Sequence, residues 1–372
     1  MYENESKRAQ LGRLKITSRL AGLMLSLCSL PVFAVCLENQ DLRGVNLAGA
    51  EFNGAKRPGV MYKDYTYPSN GEMDYYANKG VNAIRLPVRW ERVQRELFAE
   101  LNEQEMAAIG KTLAAARERG ICLILDIHNY GTYNDMPIGS AEVPVEAFHD
   151  LWLRIADALD NPRYLVLDLM NEPFTLDIAF WGQVAQSTVN ALREAGADQL
   201  IFVSGGRWSG VHEWSKTISG ASNSGTFADF SDPLGRTVLQ VHQYADQYYS
   251  GTKNTCHEPA HFNGMFASIE KWAQDNDQQL FLGEFGVPKS DTCLASLDRM
   301  LSLMEDSNVW RGWTYWAGGA WWGGYPLSIA PKNGSDAAQM EVVAPYLSAK
   351  QCGERRQEDC PPMPPGNLKI DG

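Results

Sequence analysis

The stretch YLVLDLMNEP, residues 164–173, is an apolar run of strand type that ends abruptly at the carboxylate of Glu172. A second run, LFLGEFG at residues 280–286, ends in the same way at Glu284. A carboxylate at the end of a buried strand is costly to desolvate. Two of them in one chain indicate an acid/base or nucleophile pair rather than surface charge.

Six further apolar runs have the same form, and the eight recur at intervals of roughly forty residues. The six are LRGVNLAG (42–49), AIRLPV (83–88), CLILDIHN (122–129), LIFVSGG (200–206), TVLQVHQY (237–244) and GWTYWAGG (312–319). Helical periodicity occupies residues 102–120, 145–160, 180–196 and 293–306 between them. Apolar strands that alternate with helices indicate parallel strands buried on both faces. Eight units predict an α/β fold with one domain, the (β/α)8 TIM barrel. A doubly wound open sheet is the alternative, although no GxGxxG follows any run.

The first 34 residues have the form of an export signal. Five Lys and Arg residues precede the apolar stretch 20–34. This stretch ends in a small-x-small pattern at Ala34. The stretch is too short for a membrane span. We therefore expect cleavage near Ala34, a catalytic domain over residues 35–350 and a Pro-rich tail over 351–372. The mature protein should be secreted or periplasmic, free of the membrane, and a monomer.

Six cysteines remain after that cleavage. An even number in an exported chain allows up to three disulfides, although spacing alone leaves the pairing open. We expect Cys256 to pair with Cys293, and Cys352 with Cys360. Cys122 lies inside an apolar run, where a buried free thiol is an equal alternative. None of the six has metal-ligand spacing.

Composition restricts the function class. The formal charge is −12 and no basic patch interrupts the chain after residue 34, so nucleic-acid binding is excluded. Charged residues at 21% and hydrophobic residues at 44% are typical of a globular protein. Aromatic residues are plentiful, and most should fill the core. Flat aromatic faces also suit a carbohydrate ligand.

Glycosidic bond cleavage requires a proton for the leaving oxygen and charge support for the oxocarbenium-like transition state. A protonated and an ionised carboxyl group supply both, so we expect no metal ion or organic cofactor. Arg85 ends the second run, where a guanidinium can align an ionised nucleophile. His242 and Tyr244 end the sixth run, beside Glu284 in barrel order. Tyr244 can donate a hydrogen bond to Glu284.

Three other runs end in groups that suit the same reaction. Asn171 precedes Glu172 and can bind a sugar hydroxyl. His128 ends the third run, and Trp316 in the eighth offers an aromatic floor for a pyranose ring. Each residue alone is more often structural, but their joint placement at strand ends favours one active site at the barrel mouth.

These residues resemble the pattern of glycoside hydrolase family 5, the retaining cellulase family, over about residues 41–350. The matching positions are Arg85, His128, Asn171-Glu172-Pro173, His242-Gln243-Tyr244, Glu284 and Trp316. The resemblance implies that Glu172 is the general acid/base and Glu284 the nucleophile. LRGVNLAGAEFNG (42–54), RWERVQ (89–94) and YWAGGAWWGGYPLSI (315–329) are similar to the subgroup of fungal endoglucanases and related bacterial enzymes.

That subgroup implies an endo-β-1,4-glucanase acting on a β-glucan polysaccharide or oligosaccharide, with transglycosylation as a side reaction. Candidate substrate-binding residues beyond Trp316 are Asn46, Glu51, Asn129, Tyr130, Tyr133, Trp208, Trp321 and Trp322. The alternatives are a β-mannanase, xylanase or β-1,3-glucanase on the same frame, or a polysaccharide-binding barrel without catalysis.

Overall fold

The computed structural model describes residues 36–37, 41–305 and 307–348. Eight parallel strands close into a barrel in sequence order, with the last strand beside the first. They are β1 (Leu42–Leu47), β2 (Ala83–Val88), β3 (Cys122–Ile127), β6 (Leu165–Asp168), β7 (Leu200–Ser204), β8 (Thr237–His242), β9 (Leu280–Glu284) and β10 (Trp310–Gly318); β4 (Thr132–Tyr133) and β5 (Met136–Pro137) form a separate hairpin. The prediction of a (β/α)8 TIM barrel is confirmed.

Helices follow the barrel strands, and four of them match the predicted periodic segments. The helices are α1 (Asn70–Asn78), α2 (Trp90–Val93), α3 (Glu103–Glu118), α4 (Val145–Ala158), α5 (Ile178–Glu194), α6 (Asn223–Thr226), α7 (His261–Asp275), α8 (Asp291–Met304) and α9 (Ala338–Ser348), with two short 3₁₀ turns, Val211–Glu213 and Ala320–Trp322. Local chemistry sets their ends. The Asn102 side chain accepts the Glu105 N–H at the start of α3. Gly120 follows this helix with φ +66°, a conformation that glycine adopts without steric cost.

The barrel interior changes character along its axis. Near the strand starts, a cluster separate from the outer core fills the interior with apolar side chains such as Ile124, Val166 and Phe281. Further along, Arg85, Asp126 and other polar groups point inward and are fully buried. Because parallel strands bring their C-terminal ends to one rim, these polar groups converge below the barrel mouth.

Two disulfides join distant parts of the described chain. Cys256 pairs with Cys293, as predicted. Cys122 pairs with Cys36 and is not a free thiol, so the base of β3 is tied to the segment that precedes β1. The predicted Cys352–Cys360 pair, the signal segment 1–34 and the tail 351–372 lie outside the described residues.

The hairpin of β4 and β5 was not predicted from the sequence. Its turn residues Asn134 and Asp135 have φ of 49° and 65°, the conformation of a two-residue hairpin turn with both residues left-handed. The paired segments span two residues each, too few to show an alternating pattern. Within the part of the chain that the structure describes, no helix is long and apolar enough to cross a membrane.

Candidate active site

A cleft of about 810 Å³ opens at the C-terminal ends of the barrel strands. Six successive strands each contribute a side chain at or beyond their ends: His128, Glu172, Trp208, His242, Glu284 and Trp316. The barrel therefore brings together residues that are up to 188 positions apart in sequence at the one rim where such folds place their sites.

Glu172 and Glu284 face each other in this cleft. One carboxylate oxygen of each lies within 4.8 Å of the other and of a His242 ring nitrogen. Glu172 has φ +39°, a left-handed backbone that is strained for a glutamate. Such strain persists only where the surrounding structure holds the residue in place, and it is common at functional sites. The two carboxyl groups predicted as a pair are thus adjacent in space.

The surroundings of Glu284 supply positive charge and a hydrogen-bond donor. Arg85 Nη1 donates to Glu284 Oε1 at 2.8 Å, and the Tyr244 hydroxyl donates to Oε2 at 2.8 Å. The Tyr244 contact was expected from the order of the strands, and the Arg85 contact from the position of Arg85 at the end of the second run. With 5% of its side chain exposed, Glu284 has lost most of its hydration, and these two donors replace it.

Arg85 lies at the centre of a buried ionic network. Its side chain is fully buried and contacts Asp168 at 2.7 Å and Asp126 at 3.1 Å, besides Glu284. Burial alone would lower the pKa of Arg85, but the three carboxylates outweigh it and raise this pKa above its usual value. Asp126 and Asp168 were not predicted as site residues, because each is a single acidic residue within an apolar run.

The surroundings of Glu172 favour its neutral form. Burial, with smaller contributions from Asp126 and Glu213, raises the pKa of Glu172 to about 8 against the opposing effect of Arg85. His242 Nδ1 lies 2.8 Å from Glu172 Oε1. Burial lowers the pKa of His242 to about 4, so this imidazole is neutral near pH 7 and adds no positive charge.

Glu172, His242 and Glu284 are also the one grouping, among the described residues, close enough to hold a metal ion. The Arg85 guanidinium at 2.8 Å from Glu284 disfavours a cation there, because like charges repel strongly in a desolvated site. The expectation of a metal-free site stays a prediction.

His128 and Asn171 form a second layer under the carboxyl pair. Arg85 Nη2 donates to Asn171 Oδ1, which directs the Asn171 amide N–H towards His128 Nε2 at 3.3 Å. His128 Nε2 is therefore the acceptor, and Nδ1 carries the hydrogen that it donates to Asp126 at 2.7 Å. Burial lowers the pKa of His128 to about 3, consistent with a neutral ring. A sugar contact by Asn171 stays a prediction.

Comparison with known proteins identifies the family of this chain. The model of the cellulase family, glycosyl hydrolase family 5, matches residues 39–320. The chain belongs to glycosyl hydrolase family 5. The endo-beta-1,4-glucanase B of Aspergillus niger is 30% identical over 82% of this chain and 89% of its own length.

Two solved structures of similar proteins contain cello-oligosaccharides. XacCel5A in complex with cellopentaose is 42% identical, covers 82% of this chain and 99% of its own, and has a TM-score of 0.80. The Cel5A endoglucanase of Pseudomonas stutzeri in complex with cellobiose is 35% identical, covers 82% of this chain and 92% of its own, and has a TM-score of 0.74. The fold of this family 5 member therefore has close counterparts among solved structures.

Three of the predicted aromatic residues line the cleft of this family 5 protein. Trp316 is 8% exposed and stacks on the His128 ring at 5.5 Å. Tyr130 is half-buried, with its hydroxyl 3.2 Å from His128 Nε2. Trp208 is 40% exposed and stacks on Phe174 at 4.2 Å. An indole that exposes this much of its surface in a cleft is a suitable platform for a sugar ring.

Trp321 and Trp322, predicted as substrate platforms, are not among the residues that line the cleft. Trp322 packs on Tyr325 at 4.2 Å and on Phe52 at 4.7 Å, and its indole N–H donates to the Gly318 carbonyl. Trp322 thus supports the cleft wall from behind. Trp321 is 40% exposed beside it, and its role as a platform stays a prediction.

The prediction that Asn46 contacts sugars is wrong, because the side chain is fully buried inside the barrel. Its amide nitrogen donates to the Gly283 and Thr314 carbonyls at 2.9 and 3.1 Å, and its oxygen accepts from Arg85. Asn46 therefore ties β1 to β9 and β10 and helps to orient Arg85.

Asn129 and Tyr133 are likewise structural rather than exposed to substrate. Asn129 is 1% exposed; it accepts the Trp90 N–H and donates to Glu91. Tyr133 is 5% exposed, and its hydroxyl donates to the Arg95 carbonyl at 2.6 Å. Both side chains use their polar atoms to fasten the loop after β3, so neither is free to bind a glycan.

Glu51 lies beside the cleft without lining it. Its side chain accepts the Gly49 N–H at 2.7 Å, and burial raises its pKa to about 8, with Asp126 and Glu284 adding smaller effects. Glu51 is therefore near enough to interact electrostatically with Asp126 and Glu284. Its contact with sugar stays a prediction.

The loop between β8 and α7 supplies cleft residues that sequence reasoning missed. Tyr248, Tyr249 and Lys253 line the cleft together with neighbouring polar residues. Asp246 holds the loop by accepting the backbone N–H groups of Tyr248 and Ser250. The aromatic pair in DQYYSG, residues 246–251, was the available signal, since aromatic residues in a loop at the mouth of a barrel favour ligand contact.

Proposed function

We propose that this protein is an endo-β-1,4-glucanase that hydrolyses internal β-1,4-glucosidic bonds of cellulose and soluble β-glucans with net retention. The observation that carries the proposal is the approach of Glu172 and Glu284 oxygens to within 4.8 Å. Retaining glycosidases hold their carboxyl groups about 5–5.5 Å apart, whereas inverting enzymes leave about 6.5–9.5 Å for a water molecule.

Glu284 acts as the nucleophile in the first step. One oxygen of the ionised Glu284 attacks the anomeric carbon as the glycosidic bond breaks, and the proton of Glu172 passes to the departing oxygen. A covalent glycosyl ester on Glu284 forms. Arg85 and Tyr244 hold the carboxylate in line for the attack, and the Arg85 guanidinium balances its charge.

The hydrogen bonds of Glu172 determine where its proton lies. His242 Nε2 is buried without a partner among the described residues. A buried N–H without an acceptor is rare, so we assign the hydrogen to Nδ1, which donates to Glu172 Oε1. The acid proton of Glu172 is then on Oε2, free for the leaving oxygen.

The second step returns the enzyme to its starting state. Ionised Glu172 takes a proton from water, and the water oxygen attacks the anomeric carbon and releases Glu284. If a sugar hydroxyl replaces water, the product is a transglycosylated glucan. His128, Asn171 and His242 act as supporting residues in both steps.

Specificity for β-1,4-glucan is supported by the relatives. Their printed names are endoglucanases, and the two complexes contain cellopentaose and cellobiose. Trp208, Tyr130 and Trp316 offer aromatic faces along the cleft for successive glucosyl rings. The mannanase, xylanase, β-1,3-glucanase and non-catalytic alternatives have no comparable support.

We also propose that the protein is exported and acts as a monomer on its polysaccharide. The signal-like residues 1–34 and the two disulfides support export, since disulfides persist in oxidising compartments.

The test is the activity of the full chain on carboxymethyl-cellulose, lichenan, glucomannan and xylan, with the anomer of the first product observed by NMR. We expect the highest rates on the two β-glucans, a rapid drop in viscosity and a β-anomeric product. Activity confined to xylan or to glucomannan would overturn the substrate assignment. An α-anomeric product would overturn the retaining mechanism.

A further inference from the structure

The two terminal nitrogens of the Arg85 guanidinium reach four acceptors. Nη1 donates to Glu284 Oε1 at 2.8 Å and to Asn46 Oδ1 at 3.0 Å. Nη2 donates to Asn171 Oδ1 at 2.9 Å and lies 3.1 Å from Asp126 Oδ2. Because a guanidinium is a rigid plane, each of these contacts depends on how that plane is oriented.

The remaining N–H group of Arg85, on Nε, is bound by Asp168 at the end of β6. Nε donates to Asp168 Oδ2 at 2.7 Å, with both side chains fully buried. This contact is shorter than those at the terminal nitrogens. Nε is also the atom through which the side chain enters the guanidinium plane, so its partner fixes the direction in which Nη1 points at Glu284.

Gln240 on β8 holds the other oxygen of Asp168. Its Nε2 donates to Asp168 Oδ1 at 3.2 Å and to Ser204 Oγ at 3.0 Å, so both amide hydrogens are used. Gly283 on β9 leaves the room that this side chain needs, since a Cβ there would lie 2.4 Å from Gln240 Cδ. Asp168 is therefore fastened through one oxygen and presents the other to Arg85.

Asp168 and Gln240 have no direct part in the proposed chemistry. Both side chains are fully buried, and neither is among the residues that line the cleft. Charge balance alone does not require Asp168, because Asp126 and Glu284 already pair with Arg85. The hydrogen bonds that lead from Gln240 through Asp168 to Arg85 Nε therefore indicate a role in orientation.

We propose that Asp168 and Gln240 are positioning residues, which set the plane of the Arg85 guanidinium and thereby the direction in which Glu284 attacks. Arg85 transmits this orientation through its 2.8 Å contact with Glu284 Oε1. A reacting group displaced by about 1 Å can lose on the order of 100-fold in rate. The inference rests on the proposed function, because it presumes that Glu284 is the nucleophile.

Asp168→Asn tests this arrangement, because an amide has one acceptor atom where the carboxylate has two. Arg85 Nε and Gln240 Nε2 both donate to this side chain, so one of the two contacts must be lost in the variant. The measurement is stopped-flow release of dinitrophenol from an activated 2-deoxy-2-fluoro-cellobioside. The amplitude of this release counts competent enzyme molecules, and its rate constant reports the attack by Glu284.

We expect the rate constant of Asp168→Asn to fall about 10- to 100-fold, with the amplitude per folded enzyme unchanged. A merely structural role would lower the amplitude and leave the rate constant as it is. The matched control is Asp198→Asn, which makes the same change in an exposed pair with Arg236, 3.3 Å apart, just before β7. Strand starts lie opposite the barrel mouth, so this control should match the wild type. A folded Asp168→Asn enzyme with the rate constant of the control would overturn the proposal.

Gln240→Glu provides a rescue that follows from the contact between Gln240 and Asp168. Alone, it places a second carboxylate against Asp168, and we expect a slower attack. In combination with Asp168→Asn, the new amide can donate to the new carboxylate while its oxygen accepts the Arg85 Nε hydrogen. The total charge is then that of the wild type, and the rate constant should return to within about threefold of it. A double variant no faster than Asp168→Asn would contradict the proposed contact.

Gln240→Met keeps the inference testable if Asp168→Asn does not fold. It retains the ion pair of Arg85 and Asp168 and removes only the donor to Asp168 Oδ1. The rate constant should therefore fall by a smaller factor, about 3- to 10-fold. A Gln240→Met enzyme that attacks as fast as the Asp198→Asn control would overturn the inference.

The outcomes separate this inference from the proposed function. A wild-type chain that forms no glycosyl-enzyme on Glu284 would remove the function itself. A wild-type chain that forms this adduct, together with variants of Asp168 and Gln240 that attack as fast as the control, would overturn only the positioning role.

Discussion

Glu284 and Glu172 are the same residue type on one rim, yet their surroundings differ. Glu284 faces a guanidinium and a phenol hydroxyl, both within 2.8 Å. Glu172 faces a neutral imidazole at 2.8 Å, and the acidic groups Asp126 and Glu213 act on it. The comparison supports the proposed roles, because neighbouring charges and donors can make one glutamate a nucleophile and the other an acid.

Glu284→Gln should give the largest loss of activity, because an amide oxygen cannot form the glycosyl ester. We expect kcat on carboxymethyl-cellulose to fall by about 10⁴-fold or more. Reducing-sugar release measures the loss, and circular dichroism checks the fold. Near-normal rates in this variant would remove Glu284 from the nucleophile's role.

Glu172→Gln should be the next most damaging change, and its effect should depend on the leaving group. Loss of the acid should lower the rate on glucan by about 10²- to 10⁴-fold. A dinitrophenyl cellobioside departs without protonation, so formation of its glycosyl-enzyme should be far less affected. Stopped-flow release of dinitrophenol measures this step. Equal losses on both substrates would contradict the assignment of Glu172 as the acid.

The pH profile examines the same difference without a mutation. Glu172 must carry its proton to act as an acid, and burial raises its pKa to about 8. Activity should therefore persist through neutral pH and fall about tenfold per pH unit above about 8. The measurement is kcat/KM on lichenan from pH 4 to 10. An alkaline limb near pH 5 would indicate an ordinary solvated carboxyl at this position.

Tyr244→Phe removes one of the two donors of Glu284 and leaves Arg85 in place. We expect kcat to fall about 10- to 100-fold, since one preorganised donor to a reacting carboxylate is lost. The alkaline limb of the kcat/KM profile against pH should not move, because the surroundings of Glu172 are unchanged. A limb that moves with this change would show that the two carboxyl environments are not separable.

Trp208→Ala should have the smallest effect on the chemistry. Trp208 stacks on Phe174 at the cleft wall and touches neither carboxyl group in the contacts described. We expect KM for cellopentaose to rise several-fold with kcat nearly unchanged. Isothermal titration of cellopentaose into the Glu284→Gln background measures binding alone. Unchanged affinity there would assign Trp208 to the wall rather than to the substrate.

The barrel and its carboxyl pair were predictable because the signals are periodic and local. Each strand is a buried apolar run, so it stands out in the sequence. The strand ends meet at one rim by topology, which places Glu172 and Glu284 together without further information. The Tyr244 contact followed from the order of the strands around the barrel, and the Arg85 contact from the position of Arg85 at the end of its strand.

Some side chains predicted to bind substrate are structural instead. Their position along a strand does not specify their hydrogen-bond partners. Asn46 precedes the rim and points inward, where the Gly283 and Thr314 carbonyls bind its amide. Tyr133 is directed by an unpredicted hairpin towards the Arg95 carbonyl. These partners lie far away in sequence or depend on a turn, so only the folded geometry identifies them. Asp126 was missed for a related reason, since an isolated acid in an apolar run gives no sign of its partner Arg85.

The central claim is that Glu284 forms a covalent bond to the sugar while Glu172 supplies the proton. The most direct test is incubation with an activated 2-deoxy-2-fluoro-cellobioside, followed by intact-protein and peptide mass spectrometry. We predict one added glycosyl mass located on Glu284 and its disappearance when a sugar acceptor is added. An adduct on another residue, or steady turnover of the fluorosugar by an enzyme that forms no adduct, would contradict the account.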